Sequence, residues 1–353
     1  MPRRPPLAEI DSTRSLDIPT EGAPTKKTST KRRRTKRIAL ITLLVLALLA
    51  GGGLLGTGLY LRSVEGSIER VEAFSDVPEE SRPQKVAEDA ENLLILGSDS
   101  RDPENTSGSR SDTIILAHLS KGRTSAQMIS IPRDTWVHVP ATKDGQRGNR
   151  DAKINAAFAW GGFPLMVQTV ESFTGVRIDH LVIIDFAGFQ EIVDALGGID
   201  IEVDQNFTSI HEPYRKFTTG QHHMDGATAL DYARQRKQFA DGDFARIRHQ
   251  QQVIKAILDK ATSGGLLTNP AKLNSFLKAT ANAVSVDKTL NIFDTATNLR
   301  HLRSENLTFI TSPTKGTGRV GSESVVFPDK EKAKVFYDAV RRDAGAEILS
   351  NAK

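Results

Sequence analysis

Asn92-Leu-Leu-Ile-Leu-Gly-Ser-Asp-Ser-Arg101, followed after a polar loop by Arg110-Ser-Asp-Thr-Ile-Ile-Leu116, decides how the chain is read. Two apolar runs of strand length, bounded by Gly, Ser, Asp and Arg, predict strands over 92–96 and 113–119. Paired as a hairpin, the end of the first strand lies beside the start of the second, which brings Asp99 and Asp112 to one sheet edge. A third run, Ser125 to Ile131, returns across the Lys121-Gly122 turn and delivers Arg133 and Asp134 to the same place. Facing carboxylates with an arginine alongside suit a hard cation such as Mg²⁺ bridging to phosphate oxygens. Asp residues that merely cap turns would give the same spacing.

Outward from this hairpin, further strands are expected over 180–184, 199–203 and 307–311. Helices are expected over 154–160, 164–174, 186–196, 226–233, 244–262, 270–284, 290–302 and 329–341. No internal repeat is visible. Strands interleaved with helices predict an α/β protein, a single mixed-sheet α/β/α sandwich.

The flanks carry a different signal. Residues 1–37 hold eleven Lys/Arg against four Asp/Glu and lack hydrophobic periodicity, so they read as a disordered basic tail. Ile38 to Leu61 is a run of 24 uncharged residues, long enough to cross about 30 Å of hydrocarbon. The basic cluster flanks only its N-terminal side, so the tail is expected in the cytoplasm and the rest of the chain, as a single-pass cell-membrane protein, outside. Residues 62–90 suit a stalk, 91–262 a catalytic domain, and 263–353 the C-terminal part of the same extracellular domain. The net charge of +4 resides in the tail, because everything after residue 37 is slightly acidic. A folded nucleic-acid-binding groove is therefore not expected. The absence of Cys excludes disulfides, thiolate metal sites and thiol nucleophiles.

A second constellation is Asp231-Tyr-Ala-Arg-Gln-Arg236 with Asp243-Phe-Ala-Arg-Ile-Arg-His-Gln250. On a helix starting at Phe244, Arg246, Gln250, Val253 and Ile257 form one stripe within the apolar arc, whereas Arg248 faces solvent with Lys255 and Asp259. An inward Arg246 needs a carboxylate or a bound phosphate as partner. Asp243 occupies an N-cap position. Arg234 and Arg236 converge only if their helix ends near Ala233. With Arg133 they could then surround a pyrophosphate, although a surface cluster paired to Asp231, Asp241 and Asp243 fits the spacing equally. His222 and His223 lack partners at metal-ligand spacing.

These stretches, with Ser130-Ile-Pro-Arg-Asp134 and Lys153-Ile-Asn155, resemble the LytR-CpsA-Psr family of cell-envelope proteins, five motifs in family order over roughly 92–262. The resemblance implies a mixed sheet whose groove holds a polyprenyl-pyrophosphate-linked glycopolymer, and transfer of that polymer to peptidoglycan through a phosphodiester. By motif it makes Asp99 and Asp112 the Mg²⁺ ligands. Arg133, Lys153, Arg234, Arg236 and Gln250 become pyrophosphate contacts, and Asp243, Arg110 and Arg246 the catalytic groups. Segments 182–184, 186–196 and 247–258 are apolar enough to line the lipid groove. Two rival readings are a pyrophosphatase acting on the same lipid and a membrane-tethered regulator.

Overall fold

The computed structural model describes residues 66–98, 111–291, 294–295 and 302–351. The basic tail, the expected span 38–61, Asp99, Arg110 and most of the helix expected over 290–302 lie outside the described residues. No helix among the described residues is long and apolar enough to cross a membrane.

In chain order the strands are β1 (Glu69–Val71), β2 (Glu91–Ser98), β3 (Ser111–Leu119), β4 (Ala126–Ser130), β5 (Trp136–Val139), β6 (Arg150–Lys153), β7 (His180–Asp185), β8 (Ile199–Val203), β9 (Phe207–Thr208), β10 (Lys216–Phe217), β11 (Gly220–Met224), β12 (Val284–Asp287), β13 (Leu307–Thr311), β14 (Thr314–Val320) and β15 (Glu323–Pro328). The principal helices are α1 (Ala156–Thr174), α2 (Phe186–Ala195), α3 (Gly226–Arg234), α4 (Asp243–Ala261), α5 (Pro270–Ala283) and α6 (Lys330–Arg341).

The central sheet runs β1-β12-β7-β2-β3-β4-β13. It is mixed: β2 pairs antiparallel with β3 and parallel with β7, and β13 joins β4 in parallel. Alternation along β2 and β3 builds two layers. Leu94, Leu96, Ile114 and Leu116 face a core completed by α1 and α6, while Leu93, Ile95, Ile115 and Ala117 face the opposite side, toward Ile254 of α4. A third cluster joins α2, α3, α4 and α5 to the β8–β11 ribbon. The expected mixed α/β/α sandwich is therefore present among the described residues.

Several expectations are corrected. The segment 62–90 is not a free stalk from residue 66 onward. Its β1 forms the sheet edge against β12, and Arg82 bonds the buried Glu171 at 2.7 Å and the Ile178 carbonyl. Three ordered residues of strand and one buried arginine gave too short a pattern for periodicity to register. The strand at 199–203 forms, but in a separate two-stranded ribbon with β11. The helices expected over 154–160 and 164–174 join end to end in α1, meeting at a kink where Gly162 takes φ 63°, ψ −150°, a conformation open only to glycine. Helix α5 stops before Val284, which opens strand β12 instead.

Candidate functional site

The β2–β3 hairpin carries a bulge at the end where the site lies. Gly97 pairs with Thr113 and Ser98 with Ser111, so Asp112 is the extra residue, turned out of the ladder. Gly97 is required there, because a Cβ would sit 2.8 Å from the Thr113 Cβ. The Asp112 carboxylate pairs with Arg133 Nη1, and Arg133 lies three residues beyond the end of β4. The hairpin and its return strand thus deliver Asp112, Arg133 and Asp134 to one end of the sheet, as the sequence indicated.

Helix α3 ends at Arg234, and Gln235 is extended (φ −71°, ψ 134°), which turns the chain so that Arg234 and Arg236 both reach the site. The turn is anchored from within. Fully buried Gln235 donates to the Asp231 carbonyl at 2.9 Å, to Asp231 Oδ1 at 2.6 Å and to Ser209 Oγ at 2.9 Å, and accepts from the Ile210 amide. Arg234 lies 4.5 Å from the centre of the Phe186 ring, held by cation–π attraction.

Helix α4 begins at Asp243 itself, one residue earlier than expected. Its N-cap is Gly242, at φ 53°, with no side-chain cap. Asp243 therefore does not cap; its carboxylate pairs with Arg246 Nη2 at 2.5 Å and lies 3.9 Å from Arg236. Burial raises the Asp243 carboxyl above its ordinary range against the pull of Arg246, and burial lowers the Arg246 guanidinium. Both changes follow from the cost of ionisation away from water. As expected, Arg246 and Gln250 point inward and Arg248 pairs outside with Asp241.

The site borders a cavity of about 340 Å³ between the sheet and helices α2, α3 and α4. Asp112, Arg133, Arg234, Arg236, Arg246 and Gln250 line its polar end. Its apolar wall includes Ile95, Ile115, Ile184, Phe189, Val253 and Ile254. Of the segments expected to form a groove, only part does so: Ile192, Val193 and Leu196 pack in the α2–α5 core instead. Lys153 ends β6. It lines a neighbouring cleft, 3.7 Å from Asp134 and 3.5 Å from Glu323. Asp134, which the sequence places at this sheet end without giving it a role, links the two regions, 3.5 Å from Arg236 and 4.0 Å from Arg133 Nε. Its place after Arg133 at the strand end was the available signal.

For a divalent cation the described residues lining the cavity offer two carboxylates, the partly exposed Asp112 beside Arg133 and Asp185, whose Oδ1 accepts from the Gly188 amide. Among the described residues no cluster of three or more His, Asp or Glu forms a metal cage. This suits an ion such as Mg²⁺ that keeps water and phosphate oxygens among its ligands.

An α/β/α domain with an apolar channel behind an arginine-ringed mouth defines a class of proteins suited to an amphiphile with an anionic head. The chain belongs to the LytR-CpsA-Psr family, whose model matches residues 61–342. It is 33% identical over 290 residues to the polyisoprenyl-teichoic acid–peptidoglycan teichoic acid transferase TagU of Halalkalibacterium halodurans, covering 80% of this chain and 90% of that protein. It is 30% identical over 302 residues to the cell wall biosynthesis protein LcpA of Corynebacterium glutamicum, covering 73% of this chain and 57% of the other. The crystal structure of Bacillus subtilis TagV superposes with a TM-score of 0.60 at 28% identity, over 74% of this chain and 97% of that one.

Proposed function

We propose that this protein transfers a glycopolymer from a polyprenyl-pyrophosphate carrier to peptidoglycan, forming a phosphodiester. The observation that carries the reading is the junction of two chemistries in one cavity, four arginines around an opening and an isoleucine- and phenylalanine-lined channel behind it. A pyrophosphate carries charge that planar guanidinium groups match with paired donors. An isoprenoid tail gains about 0.8 kcal/mol for each CH₂ it buries. Family membership, the named activity of TagU and the naming of LcpA for cell wall biosynthesis agree with this pairing.

In the proposed reaction, Arg133, Arg234, Arg236, Arg246 and Gln250 hold the pyrophosphate, Lys153 approaches it from the neighbouring cleft, and the family motif assigns Arg110, outside the described residues, to the same reaction. Positioning and charge neutralisation supply most of the rate enhancement in phosphoryl transfer. Mg²⁺, bound by Asp112 and Asp99, would supply further neutralisation of charge on the phosphate oxygens. Asp243, with its carboxyl raised by burial, suits a proton acceptor for an attacking hydroxyl. An anchor over 38–61 places the chemistry at the outer face of the cell membrane, where the activated lipid carries its own leaving group and ATP is not needed.

The test is transfer of a lipid-linked polymer to purified peptidoglycan by the full chain in detergent. Polymer should become covalently attached, and Asp112→Asn should lower the rate at least tenfold at limiting Mg²⁺. Release of free polymer phosphate without attachment would instead make the protein a pyrophosphatase. Ile254→Trp should abolish co-purification of a polyprenyl phosphate, read by mass spectrometry, while leaving the domain folded; unchanged lipid content would remove the channel from the mechanism.

A further inference from the structure

Two cavities share one wall. Arg133, Arg236 and Lys237 border both the apolar channel and a polar cleft of about 850 Å³ on their other side. The channel takes Arg246 and Gln250, whereas the cleft takes Asp134, Lys153 and Asp243. The cleft's remaining lining differs in kind. Trp160 comes from α1, Asn155 from the residue before it, and Thr317 and Glu323 from the β14–β15 hairpin. Arg150 lies 4.6 Å from the Trp160 ring centre and fixes the indole. Arg150 thus covers part of the indole and the core packs against it, so the half-buried ring offers its remaining surface to the CH groups of a sugar, with amide, hydroxyl and carboxylate groups around it for the sugar's hydroxyls.

A second observation points into the same cleft. Asp243 is only 8% exposed, and beyond its ion pairs neither carboxylate oxygen has a hydrogen-bond partner among the described residues. A buried acceptor left in this state is costly unless a ligand's donor completes it.

We infer that this cleft is the seat of the acceptor sugar of peptidoglycan, an inference that rests on the transferase reading above. In-line displacement requires the nucleophile to enter opposite the leaving group. The lipid phosphate departs along the channel, so the attacking hydroxyl enters from across the shared arginine wall. Its oxygen forms the new bond to the polymer-side phosphorus as the bond from that phosphorus to the bridging oxygen breaks. The bridging oxygen leaves with the lipid monophosphate, and the hydroxyl proton passes to the Asp243 carboxylate. Trp160, Asn155 and Thr317 bind the acceptor without touching the lipid.

The test uses the full chain in detergent and a muramidase-released peptidoglycan disaccharide peptide as probe, titrated without donor. The probe should bind, and Trp160→Ala and Thr317→Trp should each weaken it about tenfold. Thr317 is exposed on the hairpin, so the blocking variant keeps the fold even if the Trp160 variant does not. In transfer assays the acceptor KM should rise by a similar factor while the donor KM stays within about twofold. Equal probe affinity in wild type and variants, or no binding at all, overturns the assignment. So does a rise in donor KM alone, which would put the donor's own sugar in the cleft. Binding lost in the variants of a wild-type protein that attaches no polymer would sink the transferase reading and keep the cleft as a glycan site.

Discussion

Arg246 and Asp243 are both buried, so each is the other's main compensation for leaving water. Arg246→Ala strands a buried carboxylate and should cost about 3–5 kcal/mol of stability, whereas Arg246→Met with Asp243→Leu should cost much less. Both proteins should be inactive, and urea unfolding beside a transfer assay separates the two effects. His249 makes a different kind of statement. It stacks among Phe207, Tyr232 and Phe239, where burial pushes its imidazole down to about 4. The unfolded chain takes up a proton near 6.5 and the folded one does not. Stability should therefore fall as pH drops from about 6.5 to about 4, by on the order of 3 kcal/mol, and level off below. His249→Leu should flatten that slope in a pH series of denaturation midpoints. A slope unchanged in the variant would move the acid sensitivity to the carboxylates.

At the level of elements, the bulge in β3 and the extended residue after α3 set the site more than any single charge does. Gly97→Val forces the hairpin apart at Thr113 and displaces Asp112. It should cost about 1–3 kcal/mol and most of the activity, checked by thermal melts and by loss of Mg²⁺ response. Gln235→Leu keeps the volume but removes the acceptor of the Ile210 amide and the donor to the Asp231 carbonyl. A loss of about 1–3 kcal/mol should accompany a raised donor KM, because Arg234 and Arg236 lose their fixed direction. What the sequence disclosed follows the same division. Strands β2, β3, β4, β7 and β13 were legible because each is a bounded apolar run, and α4 because its stripe is long. The bulge was not legible, since one inserted residue leaves the alternation of its neighbours intact. The pocket-facing role of Asp134 was hidden behind the common use of Asp after strands. Strand β14 mixes Gly, Thr and charged residues, a pattern shared with ordinary loops, and the apolar part of β15 is only the short run Val325 to Phe327.

For the whole molecule, the expected boundary at 262 is a boundary of motif density and not of folding. Strands β12 and β13, both beyond it, lie on either flank of the central sheet, and Tyr337 of α6 hydrogen-bonds Ser312 at 2.7 Å within the core on the opposite face from the channel. A fragment ending at 262 should fail to fold, read as lost near-ultraviolet circular dichroism and rapid proteolysis, although it contains every motif residue. The motifs cluster early because they line one end of the sheet, while the residues that complete the sheet need only be apolar. Strand β1 meets a partner far along the chain, with Glu69 bonded to Ser285 across 216 positions. As the polypeptide is made, β7 therefore presents a bare edge until all but roughly the last fifth of the chain has emerged, and β4 until all but roughly the last eighth. Exposed edges of this kind invite pairing with other chains. Newly made copies should accordingly be slow to mature and most prone to aggregate in that interval, with the late strands acting as the clasp that ends it.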